Sequence, residues 1–143
     1  MTLTLIPAIH RATHRIGLYL AELNESGLAQ GEAHILALLV GSGSATVGDL
    51  HKGLAHKRST LTSILDRLVD RAFVTRETAA ADRRTSIIRL TKEGERVARR
   101  VQRHLIELER AVTGKYRRTD LDAFMRIVSA VEDEARRRTS SRR

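Results

Sequence analysis

The feature that most constrains the fold is a change of hydrophobic spacing in the middle of the chain. Up to residue 71, apolar side chains recur every three or four positions, as they do in amphipathic helices. Residues 73–78 and 86–91 have instead the pattern of short strands, and a charged segment, residues 79–85, lies between them. The change predicts a β-hairpin with a basic tip inserted among helices.

Six helices are predicted around this hairpin. Pro7 suits the start of the first helix, and Asn24, Ser26 and Gly27 suit its end. Thr46 and Thr119 are expected to cap the third and the sixth helix, because a hydroxyl oxygen accepts a hydrogen bond from a free backbone N–H group. The expected helices cover about residues 6–23, 28–40, 47–54, 58–71, 92–113 and 119 onward, with breaks at residues 41–44 and 114.

This order of elements predicts a mainly α protein with a small β-hairpin wing (α+β). Residues 28–91 would form a winged helix-turn-helix, with its two-helix unit at residues 47–71. The apolar stripes of the first, fifth and sixth helices exceed the needs of one small core, so residues 1–27 and 92–138 are predicted to form a helical dimerisation region. In the sixth helix, the side chains expected to face inward are Leu121, Phe124, Met125, Val128 and Val131.

Length and charge indicate the kind of partner. A chain of 143 residues fits a single domain, here residues 1–143, and its formal net charge is +9. Five arginines lie in the last eight residues, and residues 139–143 are expected to be part of a solvated, poorly ordered basic tail. Residues 49–100 hold 13 basic and 7 acidic side chains, which favours an anionic partner, either nucleic acid or a membrane surface. With only four aromatic residues for base stacking, duplex DNA is the better match.

Several classes of protein are excluded by what the chain lacks. Without cysteine it has no disulfide, thiol nucleophile, Cys-zinc site or iron–sulfur cluster. The longest stretch free of Lys, Arg, Asp and Glu, residues 33–48, contains a histidine and a Gly/Ser cluster, so no membrane span is expected. No basic region precedes the first apolar residues, so we expect no signal peptide and a cytoplasmic protein. Motifs for hydrolases, nucleotide binding and metalloproteases are absent, so we predict no catalytic site, no cofactor and no enzyme activity.

The stretch from Asp49 to Val74 resembles the recognition-helix segment of the MarR family of bacterial winged-helix regulators, chiefly through RSTLT at residues 58–62 and LDRLVDRAFV at residues 65–74. DRR at residues 82–84 and LTKEG at residues 90–94 resemble that family's wing and the start of its next helix. Two features depart from the family pattern. Ala72 stands where such proteins often have glycine, and the turn between the third and fourth helices carries Ala55, His56 and Lys57.

The resemblance implies that the helix beginning at Arg58 lies in the major groove of DNA and that the charged loop enters the minor groove. The candidate DNA contacts of this helix are Lys57, Arg58, Ser59, Thr60, Thr62, Ser63 and Arg67. In the wing, Asp82, Arg83 and Arg84 are the candidates, where Arg84 would reach the groove and Asp82 would orient the loop by holding an arginine. Further candidates for phosphate contacts are Lys52, Arg76 and Arg89.

The resemblance also implies a homodimer on a pseudo-palindromic operator and a small-molecule effector. Family members usually bind small aromatic anions between the dimerisation helices and the winged-helix lobe, and this weakens DNA binding. The candidate lining residues here are Arg15, Tyr19, His34 and Leu38. The implied function is a sequence-specific transcriptional regulator, a repressor that a phenolic or lipophilic anion releases from double-stranded DNA.

Two alternatives stay open at this point. A nonspecific, architectural DNA-binding protein would also carry a net charge of +9 and an arginine tail, and it would bind all duplexes equally. A metal-responsive regulator of the same fold would use His10 and His14, which are four residues apart on the first helix. Further conceivable ligands are His34, His104, Glu22 and Glu107. We predict no metal site, because isolated histidines are more often ordinary surface or core residues.

Overall fold

A computed structural model describes residues 2–23 and 27–140 of the chain. Its elements are α1 (Leu5–Glu22), α2 (Gln30–Ser42), β1 (Ser44–Thr46), α3 (Val47–Leu54), α4 (Arg58–Asp70), β2 (Val74–Thr78), β3 (Ser86–Leu90), α5 (Lys92–Thr113) and α6 (Arg118–Ser140). The prediction of a mainly α protein with a small antiparallel sheet is confirmed. Asn24 and Ser26, which were expected to end the first helix, lie outside the described residues, as do Arg142 and Arg143.

The core of the first compact unit, residues 2–104, lies where α2 and α4 meet the sheet. α2 is apolar on most of its sides, and it buries Ala33, Ile35, Leu36 and Leu39. α4 buries its apolar stripe of Leu61, Ile64, Leu65 and Leu68, whose spacing places all four on one face of the helix. Ile88 of β3 and Leu20 of α1 are buried as well. Because α4 is held by this stripe, its polar face is directed to solvent.

The wing is a three-stranded sheet, whereas the sequence predicts a two-stranded hairpin. β2 and β3 pair antiparallel as expected, with Thr78 opposite Ser86 next to the loop. The additional strand, β1, pairs with the other edge of β3 and places Ala45 opposite Ile88. Gly43 has a φ of 70° at the end of α2 and turns the chain towards this strand. β1 has only three residues, which is too short for an alternating pattern to show in the sequence.

The predicted cap of α3 is confirmed at the level of single hydrogen bonds. Thr46 Oγ1 accepts a hydrogen bond from the Asp49 backbone N–H at 3.0 Å and donates one to the Asp49 carboxylate at 2.7 Å. The hydrogen bond from Thr46 lowers the pKa of Asp49, because it stabilises the charged carboxylate. Thr46 and Asp49 thereby fix the point at which the helix-turn-helix unit begins.

α4 ends in a turn of the Schellman type around Ala72. The Ala72 N–H donates to the Val69 carbonyl at 2.8 Å, and the Phe73 N–H donates to the Leu68 carbonyl at 3.0 Å. Ala72 has a φ of 56°, so the alanine accepts the left-handed conformation that glycine would adopt without strain. Ala55, in the turn between α3 and α4, has a φ of 52° and carries the same kind of backbone strain.

The junction between the wing and α5 is tight. Thr91 Oγ1 accepts a hydrogen bond from the Gly94 N–H at 2.9 Å and so caps α5. Gly94 lies against the backbone of Phe73, and a Cβ atom at Gly94 would lie 1.7 Å from the Phe73 carbonyl oxygen. Only glycine allows α5 to begin this close to the segment between α4 and β2.

The second compact unit contains the end of α5 and all of α6. Gly114 follows the end of α5, as predicted. α6 begins at Arg118, so Thr119 lies inside its first turn and the prediction that Thr119 caps the helix is wrong. The cap position is Arg117, whose backbone N–H donates to the Asp120 carboxylate at 3.2 Å, as in one half of a capping box.

α6 also departs from the sequence prediction in its apolar stripe and in its length. Phe124 and Met125 do not face inward within the single chain, where they are 58% and 59% exposed, and none of the described residues of α6 is buried. The helix continues to Ser140, so residues 139 and 140 are helical rather than part of a poorly ordered tail, as are residues 136–138. Their arginines form ion pairs with Glu132 and Glu134, three or four residues earlier.

Candidate nucleic-acid interface

The exposed face of α4 carries the side chains that the sequence singles out for DNA contact. Arg58, Ser59, Thr60, Thr62 and Ser63 are all exposed. No side chain caps the helix, whose first intrahelical hydrogen bond runs from the Leu61 N–H to the Lys57 carbonyl. The N–H groups of residues 58–60 therefore have no acceptor within the helix, and such a terminus suits a phosphate.

Two hydroxyl groups on this face are oriented by the helix itself. Thr62 Oγ1 donates to the Arg58 carbonyl and Ser63 Oγ donates to the Ser59 carbonyl, each at 3.0 Å. With the hydroxyl hydrogen used in this way, each oxygen presents its lone pairs outward. Both side chains are thus set to accept hydrogen bonds, as from the amino group of a cytosine or an adenine in the major groove.

The wing loop is ordered by Asp82. Its carboxylate accepts hydrogen bonds from the Arg84 backbone N–H at 2.9 Å and from Thr85 Oγ1 at 3.1 Å. The expected hold on an arginine side chain is not what the structure shows, because Asp82 binds the backbone of Arg84. Both Arg83 and Arg84 are exposed, and among the described residues neither guanidinium forms an ion pair. Asp82 therefore shapes the loop and leaves both arginines available.

The flanking basic residues fall into two groups. Lys52 and Lys57 are exposed at α3 and at the start of α4. Arg76 lies 3.9 Å from the Asp66 carboxylate, and Arg89 lies 4.0 Å from that of Glu77. Exposed pairs at such distances stabilise a fold little. Arg76 and Arg89 are thus weakly held on the sheet and can be drawn to a phosphate.

Arg67, also predicted to contact DNA, has a partner that the sequence analysis missed. Glu32 of α2 is buried, and its carboxylate lies 2.7 Å from Arg67 Nε and 3.1 Å from an Arg71 terminal nitrogen. The Ala29 N–H donates to the same carboxylate at 3.4 Å. A clue was present in the sequence, because a carboxylate in a helix that is apolar on most sides needs a partner when it is buried.

The comparisons with known proteins agree with this geometry. Residues 28–86 match the model of the MarR family. This segment is a MarR-family domain. It contains the uncapped helix α4 and the whole wing loop. No curated protein sequence gives a significant match to the chain.

Solved structures extend the likeness beyond the MarR-family domain, as a likeness of fold. The MepR–DNA complex of Staphylococcus aureus aligns with a TM-score of 0.79 at 17% identity, over 94% of this chain and 99% of that one. PcaV of Streptomyces coelicolor in complex with its natural ligand aligns with a TM-score of 0.75 at 21% identity, over 94% and 99%. NadR in complex with 4-hydroxyphenylacetate aligns with a TM-score of 0.75 at 21% identity, over 91% and 93%.

The four candidate effector residues lie on the two helices that begin the chain. Arg15 and Leu38 are exposed, whereas Tyr19 and His34 are half-buried. The Tyr19 hydroxyl donates to the carbonyl of His104 at 3.4 Å. Burial, and to a lesser degree the nearby His56, lowers the pKa of His34. Among the described residues, no hydrogen bond or ion pair joins any two of the four, so the structure does not assemble them into one site.

Two further features of the chain around the MarR-family domain concern metals and membranes. Within residues 2–23 and 27–140, no three His, Cys, Asp or Glu side chains come close enough together to hold a metal ion. None of the described helices is both long and apolar enough to span a bilayer. The MarR family, whose model residues 28–86 match, is a family of transcription regulators and not an enzyme family.

Proposed function

We propose that this chain is a dimeric, sequence-specific DNA-binding regulator of transcription, and that it represses its target until a small aromatic or lipophilic anion binds. The observation that supports this most strongly is the pairing of two surfaces in one MarR-family domain. One is the exposed polar face of α4, a helix whose N-terminus has no side-chain cap. The other is the wing loop, where Asp82 holds the backbone and leaves Arg83 and Arg84 exposed. A helix and a basic loop of this kind fit a major and a minor groove.

The dimer is supported by apolar side chains that the single chain leaves uncovered. α6 has no buried residue among those described, and its Phe124, Met125 and Ile127 are exposed. Leu3 and Ile6, near the start of the chain, are 70% and 51% exposed. A second copy would cover such surfaces, and a two-fold dimer would present two recognition helices to one duplex. The operator should then be a pseudo-palindrome with half-sites about 10 bp apart.

The effector class is supported by analogy with proteins of the same fold. NadR binds 4-hydroxyphenylacetate, and PcaV binds its natural ligand. In this chain, Arg15, Tyr19, His34 and Leu38 are the residues we propose to line the effector site. A thermal-shift screen of phenolic and lipophilic acids should find at least one that raises the melting temperature and weakens DNA binding. A screen in which no such acid does both would contradict this part of the proposal.

Selection from a pool of random duplexes tests the function directly. The protein should enrich one pseudo-palindromic sequence whose half-sites are centred about 10 bp apart. Enrichment of no sequence would instead favour an architectural protein that binds DNA through charge alone.

Once a selected duplex is known, single substitutions distinguish the contacts in the major groove from those in the minor groove. Arg58→Ala should weaken binding by about 1–3 kcal/mol and relax the preference for one base pair. Arg84→Ala should weaken binding most strongly on duplexes with a narrow, A·T-rich minor groove. Arg110→Ala, on α5 outside the MarR-family domain, removes the same charge and is the control. Equal effects of all three variants would contradict the proposed interface.

A further inference from the structure

Two helices of the first unit are joined by a cluster of one buried acid and two arginines. Glu32 of α2 is 3% exposed, and its carboxylate oxygens meet Arg67 Nε at 2.7 Å and Arg71 at 3.1 Å. Arg67 is in the last turn of α4, the helix proposed to contact DNA, and Arg71 is the residue that caps the end of this helix. These three side chains carry one negative and two positive charges, and Arg67 is the more exposed of the two arginines. Arg67 can therefore also meet an anionic group.

The two arginines are held very differently. Arg71 also approaches the Gly27 carbonyl at 3.4 Å, and its guanidinium lies 4.9 Å from the centre of the Phe73 ring. The side chain of Arg67 is 51% exposed, compared with 31% for Arg71. Among the described residues only the Nε of Arg67 has a hydrogen-bond partner, and that partner is Glu32. Arg71 is thus anchored on several sides, whereas Arg67 is held at one nitrogen and open at the other two.

The position of Arg67 on α4 aligns it with the proposed DNA contacts. It follows Ser59 and Ser63 at intervals of four residues, so the three side chains form one row along the helix. Ser59 and Ser63 are exposed on the face that carries the candidate contacts. Arg67 is therefore at the edge of that face, on the side where Glu32 of α2 lies.

We propose that Glu32 is a positioning residue for DNA binding, which holds Arg67 by its Nε so that the two terminal nitrogens meet a backbone phosphate. This rests on the proposed function. A guanidinium is planar and offers donors on more than one edge, so it can bind a carboxylate and a phosphate together. Holding one edge in advance reduces the side-chain freedom that is lost on binding.

The variant Glu32→Gln tests this, because charge and positioning predict opposite effects. Removing a buried negative charge makes the protein more basic, which by itself would tighten binding to DNA. If Glu32 positions Arg67, affinity should instead fall by about tenfold, the size of coupling found within one ion-pair network. The slope of log K against log salt concentration should also fall in magnitude by about two, since each protomer of the dimer loses one phosphate contact. Asp70→Asn, which removes an exposed carboxylate from the same helix, is the control and should not weaken binding.

A double-mutant cycle assigns the effect to Arg67. Arg67→Ala should weaken binding to every duplex alike, and Glu32→Gln should cause no further loss in that background. Binding is measured by fluorescence anisotropy at a temperature where circular dichroism shows each variant folded. If Glu32→Gln does not fold, Arg67→Lys replaces it. That variant keeps the charge but lacks Nε, and should bind like Arg67→Ala.

Several outcomes would overturn the inference. Two concern Glu32→Gln alone, namely DNA binding that is unchanged or tighter and a salt slope that is unchanged. A third is that Glu32→Gln still weakens DNA binding in the Arg67→Ala background. The fourth is that Arg67→Lys binds DNA with wild-type affinity. A wild-type protein that binds no duplex would overturn the proposed function and this inference with it. Wild-type binding combined with any of the four outcomes overturns the role of Glu32 alone.

Discussion

At the scale of single residues, two alanines adopt the left-handed backbone conformation. Ala55 and Ala72 have φ values of 52° and 56°, and they end α3 and α4. A Cβ atom in this region lies too close to the carbonyl oxygen that follows it, at a cost of about 1–2 kcal/mol. Ala55 lies within the helix-turn-helix unit and Ala72 directly follows it, so the two residues define how α3 leads into α4 and how α4 leads into the wing.

Ala72→Gly should therefore stabilise the protein. Glycine removes the strain of the left-handed conformation but is more flexible in the unfolded chain, so we expect a net gain of about 1 kcal/mol or less. Urea unfolding followed by circular dichroism measures the difference. Ala111→Gly, at an exposed helical position of α5, should have the opposite sign and cost about 0.5–1 kcal/mol. A loss of stability in Ala72→Gly would contradict the φ value of Ala72.

Gly94→Ala should be strongly destabilising. Its Cβ would lie 1.7 Å from the Phe73 carbonyl oxygen and 2.7 Å from the carbonyl carbon, so α5 would have to move away from the backbone. We expect a loss of about 3 kcal/mol or more in urea unfolding. Gly41→Ala is the matched control, because nothing lies within 4 Å of its Cβ position in α2. That variant should be neutral or more stable, and similar losses in both would show that the contact at Gly94 is wrong.

At the scale of elements, two histidines lie near one another where α2 approaches the helix-turn-helix unit, in addition to the contacts of Glu32. His34 of α2 is half-buried, and His56 in the turn between α3 and α4 is near enough to act on its charge. A ring nitrogen of His56 would lie 3.8 Å from a Cβ atom at Gly31, one turn before His34 on the same helix. A proton on His34 is therefore unfavourable in the folded state.

The pKa of His34 predicts how stability changes with pH. Burial, with a smaller effect of His56, lowers the folded-state pKa below the usual 6.5, so the unfolded chain binds the proton more tightly. Stability should be highest above pH 6.5 and should fall as the pH is lowered from there towards the folded-state pKa. His34→Gln should show a smaller fall in urea unfolding between pH 7.5 and 5.5, whereas His10→Gln, on the exposed part of α1, should follow the wild type. Equal falls in all three proteins would contradict this assignment.

Much of the element order could be predicted from the sequence because periodicity and capping are local. The stripe of α4, the Thr46 cap and the strands on either side of the wing loop depend on neighbouring residues, and they are where the spacing indicates. β1 escaped prediction because its three residues are ordered only by pairing with β3. Thr119 was expected to cap α6 because a hydroxyl residue before an acidic first turn is a typical cap, but the helix begins one residue earlier, at Arg118.

The candidate site was predictable to a different degree. The exposed residues of α4 and the wing follow from the stripe that is buried and from the resemblance in residues 47–97. The role of Glu32 could not be predicted from the sequence, because it depends on how α2 packs against α4. Its partner Arg67 is 35 residues further along the chain. Asp82 was expected to hold an arginine side chain, but its carboxylate reaches backbone and hydroxyl donors nearer in the loop.

At the scale of the whole molecule, α6 exposes apolar side chains such as Phe124 and Met125, which the proposed dimer would bury. Phe124→Asp places a charge in its exposed apolar stripe and should shift the protein from dimer to monomer in sedimentation at micromolar concentration. DNA affinity should fall as well, because a monomer presents only one recognition helix. Arg126→Asp, at an exposed position about 160° around α6 from Phe124, is the control and should remain dimeric. A Phe124→Asp variant that is still a dimer would contradict the proposed interface, and a monomeric wild type would contradict the dimer itself.

The central claim is specific recognition of double-stranded DNA, and one titration tests it most directly. Fluorescence anisotropy compares a duplex from immediately upstream of this protein's own gene with an unrelated duplex of equal length, at several salt concentrations. We predict tighter binding to the upstream duplex by about a hundredfold or more, with both affinities falling as salt rises. Equal affinity for the two duplexes at every salt concentration would contradict the claim, and would leave a protein attracted to DNA by its charge alone.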